Sequence, residues 1–307
     1  MTFSDPHNPF PSNDSPTSDS QTTGSQTPAS QIPGPIVAPE MYLSPRSLEN
    51  ASAPEDIRTP WGGAELLIFF GFAVVTFIIF EFTAVSYLAA HYHLNRRQLV
   101  QFVTTNAAFA VGLQAFWSAV VLLFLLVIIR RYHNAPFWHS LHWSVLRPRT
   151  VPASMVYLVC IFGGITLAMS VGFISHFAGE KTKLPIQDFF HTRANVIWLM
   201  IFGIAFAPFF EETIFRGYLY PVFARKWGIP AGIIITGVLF GAMHAAQLWG
   251  GWVEITMLIL VGIILTAVRA ATRSVLASYL VHVSYNSFLF LGFFIGTQGL
   301  KHIPPMH

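Results

Sequence analysis

The sequence predicts an all-α polytopic membrane protein, with about seven transmembrane helices behind a disordered N-terminal tail. Three observations lead there. Of 307 residues, 53% are hydrophobic and only 10% charged, against roughly 25% charged in soluble domains. Phenylalanine alone fills 29 positions. The apolar residues gather into runs of about 20, the length that crosses a bilayer as helix.

Residues 1–60 come first and read differently. They are rich in Ser, Thr, Pro and Gln, as in SNDSPTSDSQTTGSQTPASQIPG at 12–34. Such a segment buries too little apolar surface to offset chain entropy, which predicts disorder. It lacks the basic start and apolar stretch of a signal peptide. Residues 61–300 form the membrane domain. Its apolar runs are 64–90, 104–129, 151–177, 194–221, 230–248, 252–271 and 275–297. Polar or Gly- and Pro-bearing loops separate them, such as RKWGIP at 225–230.

The charges follow the loops. Arg130, Arg131, Arg147, Arg149, Arg225, Lys226, Arg269 and Arg273 fall on the side shared with the tail in a seven-helix order. Arg96, Arg97, Lys181, Lys183, Arg193 and Lys301 fall opposite. The excess places the N-terminus in the cytoplasm. The net charge of +3 does not indicate nucleic acid, because the cations lie in short clusters between apolar runs. The single cysteine, Cys160, sits inside an apolar run. It excludes a disulfide framework and reads as a small buried hydrophobe.

Against this background the stretch FFEETIFRGYLY at 209–220 is anomalous. A charge near the centre of a membrane helix costs roughly 2.5–3.5 kcal/mol, so Glu211, Glu212 and Arg216 must face protein or a cavity. Glu212 and Arg216, four apart, share a helix face and can pair. Glu211 is turned about 100° from Glu212 and has no basic residue one turn away, which leaves it free for general acid–base work. Pro208 removes an N–H from the ladder and frees the Ile204 carbonyl, predicting a kinked helix beside the carboxylates.

Two later runs carry polar residues at helical spacing. Phe240 and His244 share one face, and His282 and Asn286 share another. Counted at about 1.5 Å per residue, Glu211, His244 and His282 all fall in the middle layer of a core roughly 30 Å thick. A carboxylate and a neutral imidazole can deprotonate a water for attack on an amide. A second imidazole and a carboxamide can donate to the resulting oxyanion. Glu211, His244 and His282 would also suit zinc, whose bound water would attack; the helical signature HExxH is missing, which favours the metal-free route with no cofactor. Tyr279, one turn before His282, could orient its ring. Gly203, Gly237, Gly241 and Gly262 suit close helix packing. The remaining histidines lie near helix ends or in loops and read as solvated or interfacial.

EETIFR (211–216), FGAMH (240–244) and HVSYN (282–286) together resemble the motifs EExxxR, FxxxH and HxxxN of the CAAX-protease and bacteriocin-processing family, over about 190–297. The resemblance implies a glutamate-dependent intramembrane endopeptidase acting on a membrane-associated protein or peptide. By its pattern Glu211 and His244 activate water, and His282 and Asn286 stabilise the oxyanion. Glu212, Arg216 and Phe240 shape the site. The compact loops and polar tail suit a bacterial inner (plasma) membrane. Two other readings use the same cavity: a non-catalytic scaffold or immunity factor, and a proton-coupled transporter.

Overall fold

The computed structural model describes residues 53–146, 151–178 and 184–303. Most of the tail, 1–52, lies outside the described residues, as do Arg147, Arg149, Lys181 and Lys183. The architecture is all-α and polytopic. Its main helices are α1 (Gly63–His91), α2 (Arg96–Thr105), α3 (Ala107–Val127) and α4 (Ala153–Ala178). After them come α5 (Arg193–Trp227), α6 (Ile229–Met243), α7 (Trp252–Thr272) and α8 (Val275–Gly296).

Among the described residues, six helices are long and apolar enough to span a membrane: α1, α3 with its continuation to Tyr132, α4, α5, α7 and α8. The seventh run, expected at 230–248, forms only the 15 residues of α6. Gly250, with φ 92°, and Gly251 follow it, and a chain of turns occupies 244–250. Irregular backbone of this kind is tolerated at membrane depth where it lines a cavity. The run expected at 104–129 is also divided. Asn106 caps α3 by accepting from Phe109 N at 2.9 Å, and α2 precedes it as a separate polar helix. Asn95 and Gln98 start α2 by exchanging two 3.0 Å bonds between side chain and backbone, a capping box whose signature is polar rather than apolar.

Residues 53–60 were placed in the tail by composition, yet they pack on the membrane domain. Arg225 donates to the carbonyls of Ile57 (3.1 Å) and Trp61 (2.8 Å) and to Thr59 Oγ1 (2.7 Å). Buried Arg269 donates to the Asp56 carbonyl at 2.8 Å. One half-buried and one buried cation thus satisfy a short strap whose own apolar content is low. Trp61 anchors its end, donating Nε1–H to the Tyr218 carbonyl at 3.0 Å.

Small residues set the helix pairing. A methyl added at Gly237 of α6 would stand 2.6 Å from Ile263 N of α7, and one added at Gly262 would stand 2.8 Å from the Gly237 carbonyl. The two backbones therefore meet directly, the packing mode that lipid-embedded helices favour. On the other flank α4 packs along α8, where a methyl at Gly164 would lie 2.7 Å from Ser284 Cβ. Cys160 is buried in that second core with Val281 and Tyr285, as its setting in the sequence implied.

Candidate active site

Helix α5 carries the first two site residues, and it is not a regular helix. π-helical stretches run Phe202–Phe206 and Thr213–Leu219. Each lies just ahead of a proline: Pro208, which the sequence marks as a kink, and Pro221, which it also contains. A proline cannot donate to the carbonyl one turn back, and a local widening is one way for the chain to absorb that loss. Between the two stretches, Ala207–Glu212 returns to α-geometry and presents Glu211 and Glu212.

Glu212 and Arg216 pair as their spacing predicts. Arg216 Nη1 donates to Glu212 Oε1 at 2.9 Å, with both side chains fully buried. Arg216 also donates Nη2–H to the Gly262 carbonyl at 2.9 Å and Nε–H to Thr266 Oγ1 at 3.3 Å. Its guanidinium lies 4.5 Å from the Phe240 ring centroid. Buried charge is costly unless paired and bonded. Here every face of the guanidinium meets a carboxylate, a carbonyl, a hydroxyl or a π-face. Gly262 was marked in the sequence for close helix packing alone, and Thr266 was not singled out; its only signal was its small size one turn from Gly262 on α7.

Both histidines turn toward Glu211. His244 is the C-terminal cap of α6, and its Nδ1 lies 2.9 Å from the Phe240 carbonyl. A carbonyl only accepts, so Nδ1 carries the proton. His244 Nε2 is thereby left facing Glu211 Oε1 at 3.8 Å. His282 Nδ1 lies 2.9 Å from Glu212 Oε1, a carboxylate already held by Arg216, so Nδ1 donates here too. His282 Nε2 faces Glu211 Oε2 at 3.7 Å. Each carboxylate oxygen of Glu211 thus has one imidazole Nε2 opposite, slightly beyond direct hydrogen-bonding range. Glu212 is what orients the His282 ring. Tyr279, expected in that role, instead packs its ring against Trp143 and Phe209, with centroids 5.4 and 6.4 Å away. Its position three residues back turns it to the neighbouring face of α8.

Phe240 touches both imidazoles, with ring centroids 5.0 Å from His244 and 5.7 Å from His282. Asn286, one turn beyond His282, donates Nδ2–H to the Gly203 carbonyl at 2.7 Å. That carbonyl belongs to the first π-helical stretch, and the bond fixes α8 to α5. The second Nδ2–H of Asn286 is not used in that bond.

Glu211, His244, His282 and Asn286 line one cavity of about 790 Å³. α5 lines it together with residues of α1, α2 and α3, of the segment 185–190, and of α6, α7 and α8. Most of the remaining lining is apolar, including Phe109, Trp117, Phe210 and Phe290. Among the described residues, no set of three or more His, Cys, Asp or Glu side chains is close enough to hold a metal ion. The donor types of Glu211, His244 and His282 are nevertheless those that zinc accepts.

Comparison with known proteins gives the same segment a relationship. Residues 193–288 match the family described as type II CAAX prenyl endopeptidase Rce1-like. An uncharacterized 24.3 kDa protein of Escherichia coli is 30% identical over 125 residues, covering 38% of this chain and 57% of the relative. UPF0177 protein YbdI of Lactococcus lactis is 25% identical over 143 residues, covering 42% of this chain and 72% of the relative. The chain therefore spans little more than half the length of the first of these. No solved structure matches it. The segment that assembles Glu211, His244, His282 and Asn286 in this membrane protein is similar to the Rce1-like CAAX prenyl endopeptidases, the family that the three motifs resemble.

Proposed function

We propose that the protein is an intramembrane endopeptidase that hydrolyses a peptide bond of a membrane-associated protein or peptide, using Glu211 as general base and no metal. The observation that supports this most is the convergence of two imidazole Nε2 atoms on the Glu211 carboxylate, 3.7 and 3.8 Å away, inside an apolar cavity. A water held by Glu211 and His244 loses its proton to Glu211 as its oxygen bonds to the carbonyl carbon. The carbonyl π electrons move to oxygen. When the C–N bond breaks, the electron pair goes to nitrogen, and the proton held by Glu211 passes to the leaving amine. The peptide bond is hydrolysed with no covalent enzyme intermediate.

The oxyanion needs donors. The spare N–H of Asn286 is one. His282 is the second once protonated at Nε2, because its Nδ1–H is committed to Glu212. Glu212, itself held by Arg216, keeps that Nε2 directed at Glu211 and the cavity. This gives the buried ion pair a chemical role through His282. We place the protein in a bacterial inner membrane with its N-terminus in the cytoplasm, on the loop-charge bias and the bacterial sources of its relatives.

The test compares new peptide termini by mass spectrometry in membranes from cells expressing wild type or Glu211→Gln at matched levels. Termini present only with wild type would establish the protease and name its substrates. Matching profiles, in cells where the wild type has a measurable phenotype, would leave a scaffold as the better account.

A further inference from the structure

Two acidic side chains that line the cavity, Glu81 and Asp188, have no part in the hydrolysis; Asp188 is engaged by other groups. Glu81 lies within the apolar span of α1. Phe77 and Glu81, one turn apart, are the two α1 side chains that line the cavity holding Glu211. Glu81 is half-buried, and among the described residues nothing hydrogen-bonds or ion-pairs with it. Among the described residues no lysine or arginine lines the cavity. A carboxylate in a membrane helix is costly and normally faces a partner or a wet cavity. Here the cavity is present and a protein partner is missing.

We propose that Glu81 is a specificity residue, selecting apolar segments that carry a basic side chain near the bond to be cut. This rests on the proteolytic reading of the same site. The cavity walls offer apolar contact to a hydrophobic segment, but a lysine or arginine brought in by such a segment would otherwise meet only Asp188, which is already engaged, and Glu211, which is needed for water. Glu81 provides an uncommitted carboxylate from α1, a helix that carries none of the groups that handle water. Pairing satisfies both charges where water is scarce and attraction is less screened. A substrate with a neutral side chain at that position leaves Glu81 unpaired and gains nothing from it. An acidic one meets repulsion, so the same residue selects and rejects.

The test uses full-length protein in nanodiscs, with empty nanodiscs correcting for lipid partition. Three fluorescent 12-residue peptides of Leu, Ala and Phe differ only in a central Lys, norleucine or Glu. Binding and cleavage are both recorded. The Lys peptide should bind wild type at least roughly tenfold more tightly than the norleucine peptide. Glu81→Gln should abolish that advantage, and Glu81→Lys should transfer it to the Glu peptide. Equal affinities in wild type, an advantage that survives Glu81→Gln, or no binding of any peptide would each overturn the proposal. Selective binding without cleavage supports the role of Glu81 as a charge selector and counts against proteolysis alone. Cleavage without charge preference does the reverse.

Discussion

His282 Nδ1 and Glu212 Oε1 lie 2.9 Å apart, although they belong to helices 70 residues apart in sequence. The oxygen that fixes the imidazole is the one that Arg216 holds. Glu212→Ala would leave a fully buried guanidinium without its counter-charge and an imidazole without its orienting group. Breaking a buried pair costs roughly 3–5 kcal/mol. The expected result is a clearly lower unfolding temperature in detergent, with Glu212→Gln intermediate. An unchanged unfolding temperature in Glu212→Ala would show that the pair does not anchor α8 to α5.

Glu211→Gln and Asn286→Ala should fail in different ways on a peptide identified as substrate. Removing a general base costs roughly 10²- to 10⁴-fold in kcat. Removing an oxyanion donor costs roughly 10²- to 10³-fold, with KM little changed. Asn286→Asp should be no better than alanine, because an ionised carboxylate cannot donate. A kcat within twofold of wild type in Asn286→Ala would exclude the oxyanion role.

The α6–α7 seam makes a packing prediction. Gly237→Val must push Ile263 aside and should cost at least roughly 1–3 kcal/mol. Gly112, on α3, has nothing within 4 Å of an added methyl, so Gly112→Ala serves as the control and should be close to neutral. Equal thermal stability of the two variants would mean that the seam is not tight.

His142 gives a pH prediction from a loop outside the spans. Its pKa is lowered to about 4 by burial first, then by the charges of Arg269 and His139, with Asp56 opposing. An unfolded histidine titrates near ~6.5. Between those values the unfolded chain binds more protons, so His142 contributes stability that is complete above ~6.5 and lost as pH falls toward 4. The residue sits at φ 57°, a region that asparagine tolerates, so His142→Asn is the suitable replacement. It should lose less unfolding temperature than wild type between pH 7 and pH 5. Parallel losses would assign the acid sensitivity elsewhere.

Chelation separates the metal-free route from its alternative. Phenanthroline or EDTA should leave the rate of peptide cleavage unchanged, and purified protein should carry zinc well below one equivalent. If chelation stops cleavage and added zinc restores it, then Glu211, His244 and His282 hold the ion.

Much of the site was legible because polar residues are conspicuous in apolar helices. The spacing of Glu212 and Arg216 predicted their contact, and FGAMH and HVSYN carried the correct helical faces. The tie between Glu212 and His282 was hidden, since one carboxylate serving two partners on different helices depends on tertiary placement. Counting apolar residues missed the end of α6, because 244–248 stays largely apolar while the backbone leaves the helix. It also missed the order of 53–60, where the stabilising groups, Arg225 and Arg269, come from distant segments. Glu81 was not singled out, because a lone acid ten residues from a helix end has no local pattern.

Two welded plates follow from the small-residue contacts: α6 with α7 through Gly237 and Gly262, and α8 with α4 through Gly164. Neither can splay without separating backbones that touch. α1 and α3 are held to α5 by side chains instead. Trp117 joins α3 to α1 through the Ala73 carbonyl at 3.1 Å, and Asn195 joins α5 to the α2–α3 junction through the Thr105 carbonyl at 2.7 Å. Around them Phe69 and Ala73 of α1, Val121 and Leu125 of α3, and Phe210 and Ile214 of α5 share one buried side-chain core. Side chains can repack where touching backbones cannot, so the strain of a bulky occupant would fall on that side-chain core before it reached either plate.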